Sequence, residues 1–427
     1  MKARGTTGVR RRAPAADTLR RNRDFQLLCA GQGLSMLGSG ACAVALPLLV
    51  LQVTGSPLRV GLVEAVWTGS LALACLPSGP VADRFDRRTV LLVCDAGRAV
   101  ASAALAAAVL AGLASLPLLL VAGAVLGFLT APFNAAVLPL VREVVPEGRL
   151  ATALAVNQVR GQAAYLLGPV IGGALFGAGA SLPFWLDSAS YTVSSCCLLA
   201  LGVRTGAPAG PREDWWPSFT TGLRFLWRDR LLRRLTLVAS AQNFAFDGVY
   251  LAVVVTTARA GASGLSVGMV TAASAAGAMA GVVLAPSAGR HVGPSTMVLS
   301  TGVLCAALVG AMALAPEATA LAALLAGCAL AVAVSGSVLT LARLLHTPER
   351  LQGRVNSAMG LLFMATPPLG ASLSGALLDE LPAPAVFLVF AALLAALAAA
   401  SPGRRVFRRP GPGGAVADRS RAGAAAD

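Results

Sequence analysis

Apolar runs of about 20 residues, the length that crosses a ~30 Å hydrocarbon layer as a helix, recur along the whole chain. The stretch "ASAALAAAVLAGLASLPLLLVAGAVLGFLT" from Ala101 to Thr130 holds parts of two such runs and almost no polar side chain. Inside lipid each backbone N–H and C=O needs a partner from its own segment, so each run is expected to be an α-helix. A transmembrane barrel would alternate apolar and polar residues, and these runs do not alternate. Abundant Ala and Gly let such helices approach closely.

About twelve spans are expected, near 25–53, 57–82, 89–112, 115–140, 150–177 and 182–203, and then near 233–258, 264–288, 295–314, 318–343, 353–378 and 383–401. The fold class is therefore an all-α polytopic membrane protein with two six-helix halves. The expected organisation is a basic tail over 1–23, an N-terminal half over 24–203, a linker over 204–232, a C-terminal half over 233–401 and a disordered tail over 402–427. In the linker, "WWPSFTTGLRFLWRDRLLRRL" spaces Phe219, Leu223 and Leu226 as one helical face with arginines on the other. That pattern predicts an amphipathic helix lying in the membrane interface, anchored by Trp215 and Trp216.

The net charge of +15 invites a nucleic-acid reading, but the positions of the charges argue against one. All but four of the 34 Lys and Arg fall in the two tails and the alternate loops on one side; the exceptions are Arg59, Arg259, Arg98 and Arg160. This bias is the positive-inside pattern, so both termini are expected in the cytoplasm and the chain in the plasma (inner) membrane. The basic excess is topology, with some contact to anionic lipid.

Scarcity excludes other chemistries. Lys2 is the only lysine, so no phosphate-binding loop of the G-x-x-x-x-G-K-[ST] kind exists. The two histidines, His291 and His346, have no clustered ligands of metal-site type, and no cofactor is expected. All eight cysteines fall in expected spans without a C-x-x-C, and read as small packing residues.

The halves resemble each other. "PEGRLATALAVNQVRGQAAYLLGPVIGGAL" from Pro146 aligns without a gap on "PERLQGRVNSAMGLLFMATPPLGASLSGAL" from Pro348, ending in Gly-Ala-Leu in both. A parallel repeat of this kind places a substrate site between halves, near the bilayer midplane.

The loop "GPVADRFDRRTVLL" (Gly79 to Leu92) packs five charges between two apolar spans. Gly79, Asp83, Arg84, Arg87 and Arg88 match in register the Gly-x-x-x-Asp-Arg-x-Gly-Arg-Arg pattern, with Asp86 at the second Gly. In this the chain resembles the major facilitator superfamily. "PFWLDSASYTVSS" and "LLGPVIGG" look like its efflux branch, which contains macrolide-efflux proteins and enterobactin exporters. The resemblance implies two states of alternating access, with the charged loop as a gating latch between halves. Gly168, Pro169, Gly172 and Gly173 are similar to the antiporter motif, in which small residues help seal the halves; Ala164 replaces its first Gly.

Ionisable groups within spans are costly and usually face a cavity or a partner. Asp247 sits near the middle of the seventh span, a cavity-lining one by the resemblance, with Gln242, Asn243 and Tyr250 beside it. It is the first candidate for holding a proton or a cationic substrate. Glu64 is the second proton candidate, facing either the interior or outer water. Arg160 pairs with an acid across the halves or holds an anionic substrate, the first being favoured. Asp95 and Arg98 share a face and neutralise one another, and Asp187 is expected at an interface or cap.

The expected function is secondary active transport: proton-coupled efflux of a drug-like or siderophore-like compound by a monomer. The alternatives are an importer or facilitator of a small metabolite, or more remotely a membrane enzyme or scaffold.

Overall fold

The structure is a computed structural model that describes residues 19, 21–202, 215–315, 317–347 and 349–400. The predicted C-terminal tail, nearly all of the N-terminal one and residues 203–214 of the linker lie outside the described residues. Every regular element among the described residues is a helix.

The first half comprises α1 (Arg23–Thr54), α2 (Pro57–Arg84), α3 (Arg87–Leu110), α4 (Leu116–Val144), α5 (Leu150–Ala178) and α6 (Leu182–Leu199). Between the halves lies α7 (Trp215–Arg228). The second half comprises α8 (Arg230–Arg259), α9 (Gly264–His291), α10 (Pro294–Met312) and α11 (Ala318–His346). It ends with α12 (Glu349–Ala365), α13 (Pro367–Glu380) and α14 (Ala383–Ala400).

Among the described residues, eight helices are long and apolar enough to cross a membrane, and α10 and α14 contain shorter apolar stretches. The expected eleventh span is broken at Thr366 into α12 and α13. Pro367 and Pro368 follow the break: proline lacks an N–H and disfavours helical geometry in the residue before it. By contrast Pro47, Pro132, Pro139, Pro169 and Pro286 sit inside continuous helices.

Local signals set the helix ends. The Asn22 side chain accepts the Phe25 N–H at 3.0 Å and caps α1, and Gly55 ends that helix in the left-handed region at φ 68°. Asp86 accepts the Thr89 N–H at 3.0 Å and its hydroxyl at 2.9 Å, capping α3. This gives a local reason for an aspartate at the place where the motif has glycine.

Packing repeats between halves. Helix α1 packs on α5 and α6, α2 on α4, and α3 on α4 and α6. The same scheme recurs with α8 on α13 and α14, α9 on α11, and α10 on α11 and α14. The halves meet where α2 touches α13 and α5 touches α9. The linker helix α7 packs on α12, where Leu226, together with Leu232 of α8, joins Val355 and Met359.

Because helices alternate in direction, the molecule has a termini face, where α1 begins, and a far face, where α1 ends and α2 begins.

Candidate functional site

On the far face, small residues bring the halves into backbone contact. A Cβ on Gly61 of α2 would lie 2.7 Å from the Ser372 Cα of α13, and one on Gly375 would lie 2.8 Å from the Leu58 Cα. On the other flank, a Cβ on Gly264 of α9 would sit 2.5 Å from the Gly173 carbonyl oxygen of α5. The Ser372 hydroxyl donates to the Gly61 carbonyl at 3.3 Å. Only glycine allows such approaches, and in lipid close packing of this kind is what holds helices together.

A polar clasp lies over the α2–α13 contact. Asp379 accepts the Ser56 hydroxyl at 2.7 Å and the Leu58 N–H at 3.4 Å, so an acid of the second half caps a helix of the first. Arg259 lies 3.7 Å from the same carboxylate and donates to the Leu378 carbonyl at 2.9 Å and the Gly55 carbonyl at 3.5 Å. Neither Asp379 nor this use of Arg259 was legible beforehand, because the partners lie in different halves and belong to no local motif.

Toward the termini face the halves part. Among the described residues, α4 and α11 share no packed interface there. Among the described residues, the last apolar cluster joining the halves is that of Leu71, Ala74 and Ala131 with Met364. The described arrangement is closed at the far face and open at the termini face.

Beneath the seal lie the acids. Glu64 of α2 and Asp247 of α8 lie on opposite sides of the junction, close enough for their charges to interact. Tyr165 of α5 is within electrostatic reach of both. Tyr250, one turn beyond Asp247, is within electrostatic reach of Tyr165 and of both acids. Three helices, α2, α5 and α8, thus deliver two carboxyls and two phenols to one place, and both acids are half-buried. Asn243 lies one turn before Asp247 on the same side of α8. Gln242 does not join them: it is buried and lines a cavity within the second half, with Phe246, Val249, Cys305 and Cys328. The polar wall expected beside Asp247 is narrower for that reason. The partner missed by sequence reasoning is Tyr165, whose helix approaches α8 only through the fold.

The antiporter-like motif divides between two neighbours. Gly168 and Gly172 lie against Gly40 and Ala41 of α1, whereas Gly173 and the Pro169 carbonyl meet Gly264 and Gly268 of α9. In the charged loop, Arg87 pairs with Glu143 of α4, and Arg88 donates to the Leu199 carbonyl of α6 at 2.5 Å. Both partners belong to the same half. Arg84 is exposed, and the side chains of Gly79 and Asp83 lie outside the described residues.

The first half also contains a buried polar network. Asp95 pairs with Arg98 and accepts the Ser194 hydroxyl at 2.6 Å. The Arg98 guanidinium stacks 4.1 Å from the centre of the Phe133 ring and 4.4 Å from that of Tyr191. Asp187 accepts the Ser102 hydroxyl at 2.8 Å and is 1% exposed, which corrects the expected interfacial position. Arg160 forms no ion pair with any acid among the described residues, so the favoured pairing across halves is not found. Its Nη1 is buried without a hydrogen-bond partner. All eight cysteines are free thiols. No group of three potential metal ligands occurs among the described residues.

Comparison with known proteins agrees with this architecture. Residues 28–363 match the family model of the Major Facilitator Superfamily. The chain is 29% identical over 377 residues to the multidrug efflux pump Tap of Mycobacterium tuberculosis, covering 84% of this chain and 88% of that protein. It is 24% identical over 360 residues to the enterobactin exporter EntS of Salmonella choleraesuis, covering 83% and 85%. Among solved structures, the nucleoside transporter NupG superposes with a TM-score of 0.71 at 13% identity, covering 88% of this chain and 98% of that one. A bacterial homologue of the iron transporter ferroportin superposes with a TM-score of 0.66 at 16% identity, covering 90% and 98%.

Proposed function

The chain belongs to the major facilitator superfamily, and on that premise we propose that it is an exporter driven by the proton gradient. Its substrate is a bulky, partly hydrophobic compound of the drug or secondary-metabolite kind. The efflux activities named for its relatives support the direction. The arginine distribution supports cytoplasmic termini in the plasma membrane, which makes the described arrangement inward-facing. A monomer is sufficient, since both halves that form the junction come from one chain.

The observation that carries the proposal is the Glu64–Asp247 pair, set across the junction just beneath the far-face seal. Two carboxylates held this close repel, and a proton bound to either removes the repulsion between the halves. With one proton bound, the halves close on each other at low cost. With both charges present, the contact is strained and the far face opens. Tyr165 and Tyr250 surround the acids with phenol groups that can bond the proton-bearing or proton-free state. A substrate in the cleft that favours one state over the other is thereby coupled to proton binding, because ligands shift such equilibria only by differential affinity.

The test is accumulation of a panel of dyes and antibiotics in cells with wild-type, Glu64→Gln or Asp247→Asn protein at matched membrane levels. Wild-type cells should accumulate less of at least one compound, and a protonophore or either substitution should abolish that difference. Export that persists without the gradient would refute proton coupling; wild-type cells that accumulate more of a compound would reverse the direction.

A further inference from the structure

Among the buried donors of the first half that lack acceptors, two lie at one level of the α1–α5 contact. Gln32 of α1 is 4% exposed and its Nε2 has no hydrogen-bond partner. Arg160 of α5 has a buried Nη1 in the same condition. An unmade bond at such a group is costly, and more so at a charged one, so two together are a feature to explain.

Register brings them near each other. Helices α1 and α5 run parallel, with Gly40 seated against Ala164 and Gly168. A Cβ on Gly161 would meet the Met36 sulfur at 3.6 Å. Gln32 lies one turn before Met36, and Arg160 immediately before Gly161, both on the termini side of that contact. There is room beside this contact: a Cβ added to Gly33 would meet nothing within 4 Å. The neighbouring acids are already engaged, Asp95 by Arg98 and Ser194 and Asp187 by Ser102. Arg160 is not among the charges acting on Glu64 or Asp247. These cationic and amide donors therefore have no acid paired to them among the described residues, and they lie on the side toward which the halves part.

We propose that Gln32 and Arg160 form a subsite for an anionic group, a carboxylate or phosphate, carried by the exported compound. Guanidinium and side-chain amide together suit such a group: Arg supplies charge and paired donors, Gln one further N–H. The assignment rests on the exporter reading for its occupant, and it divides labour within the site. The acid pair responds to protons, while the α1–α5 donors hold the anionic end of the cargo.

The test uses the full chain in phosphatidylcholine nanodiscs, with the unfolding midpoint read against naphthoate, against its uncharged amide naphthamide, and with phosphatidylglycerol added to the disc. Naphthoate should raise the midpoint and naphthamide should not. Arg160→Gln should weaken the naphthoate response roughly tenfold or more in concentration, Gln32→Leu less, and Arg160→Lys should keep part of it. The ligand-free midpoint of each variant shows whether it folds. Equal responses to naphthoate and naphthamide, or an undiminished response in folded Arg160→Gln, would overturn the subsite. A midpoint raised by phosphatidylglycerol alone, with no response to naphthoate, would overturn it too, assigning the donors to a lipid headgroup. Arg160-dependent naphthoate binding by a protein that exports nothing supports the subsite and counts only against the exporter reading.

Discussion

The Asp379 carboxylate of α13 lies 2.7 Å from the Ser56 hydroxyl and accepts the Leu58 N–H, standing at the N-terminus of a helix in the opposite half. Capping oxygens normally come from the capped helix itself, yet Ser56 makes no side-chain cap of its own. The cap therefore exists only while the far face is closed. Asp379→Asn removes the charge from the α2 N-terminus and from Arg259, weakening a partly exposed clasp by about 1 kcal/mol. In a Cys196→Ser background, a cysteine placed at Ser372 should then react with an impermeant maleimide up to about fivefold faster. An unchanged rate would show that the clasp does not hold the seal.

The α5–α9 flank should be more sensitive, because no side chain there can move aside. A methyl group on Gly268 would lie 3.1 Å from the Pro169 carbonyl carbon, a contact of backbone with backbone. Overpacking of this kind costs about 1–3 kcal/mol. Gly268→Ala should reduce export at least severalfold while protein level in the membrane stays within about twofold. Gly33→Ala, which meets open space, serves as the control and should leave the protein level unchanged. Full export by Gly268→Ala would mean that the flank is not part of the moving seal.

What the sequence could reveal followed from local signals and the bilayer. Span positions, the repeat and the charge asymmetry are one-dimensional patterns imposed by hydrocarbon thickness and by backbone hydrogen bonding. The i,i+3 spacing of Asp95 and Arg98 likewise foretold their pairing. Relations between halves were out of reach: Glu64 and Asp247 were each singled out, but nothing in their neighbourhoods says that they meet. An arginine inside a span suggests an acid partner, and whether Arg160 has one within ion-pairing distance could be asked only of the fold, which shows none among the described residues. Asp187 looked interfacial from its closeness to the start of α6, whereas packing against α1 and α3 buries it.

The Asp95–Arg98 pair gives a prediction of the structural kind. Arg98 is 4% exposed and lies between two aromatic rings, so loss of its counter-ion would leave a charge with no route to water. Breaking a buried pair from one side typically costs about 3–5 kcal/mol. Asp95→Ala should sharply lower the amount of folded protein in the membrane and its unfolding midpoint. The double variant Asp95→Ala with Arg98→Leu should recover much of both. If the single variant is as stable as wild type, the network does not support the fold.

The charged loop offers a final prediction, of a latch released in the described arrangement. Arg87 is paired with Glu143 and Arg88 with the Leu199 carbonyl, both within the first half, while the halves are apart on the termini face. The same arginines become available to the opposite half only if those bonds exchange when that face closes. Exposed pairs contribute about 0–1 kcal/mol each, so the cluster biases the two states without locking either. Asp83→Asn should therefore reduce export severalfold while leaving membrane insertion intact. Glu143→Gln, which frees Arg87 for exchange, should favour the state closed at the termini face. That shift is measurable as a slower reaction of a cysteine placed at Gln158 with a maleimide supplied from the termini face, in the same Cys196→Ser background. Normal export by Asp83→Asn, together with an unaltered rate in Glu143→Gln, would leave the loop a topology signal and nothing more.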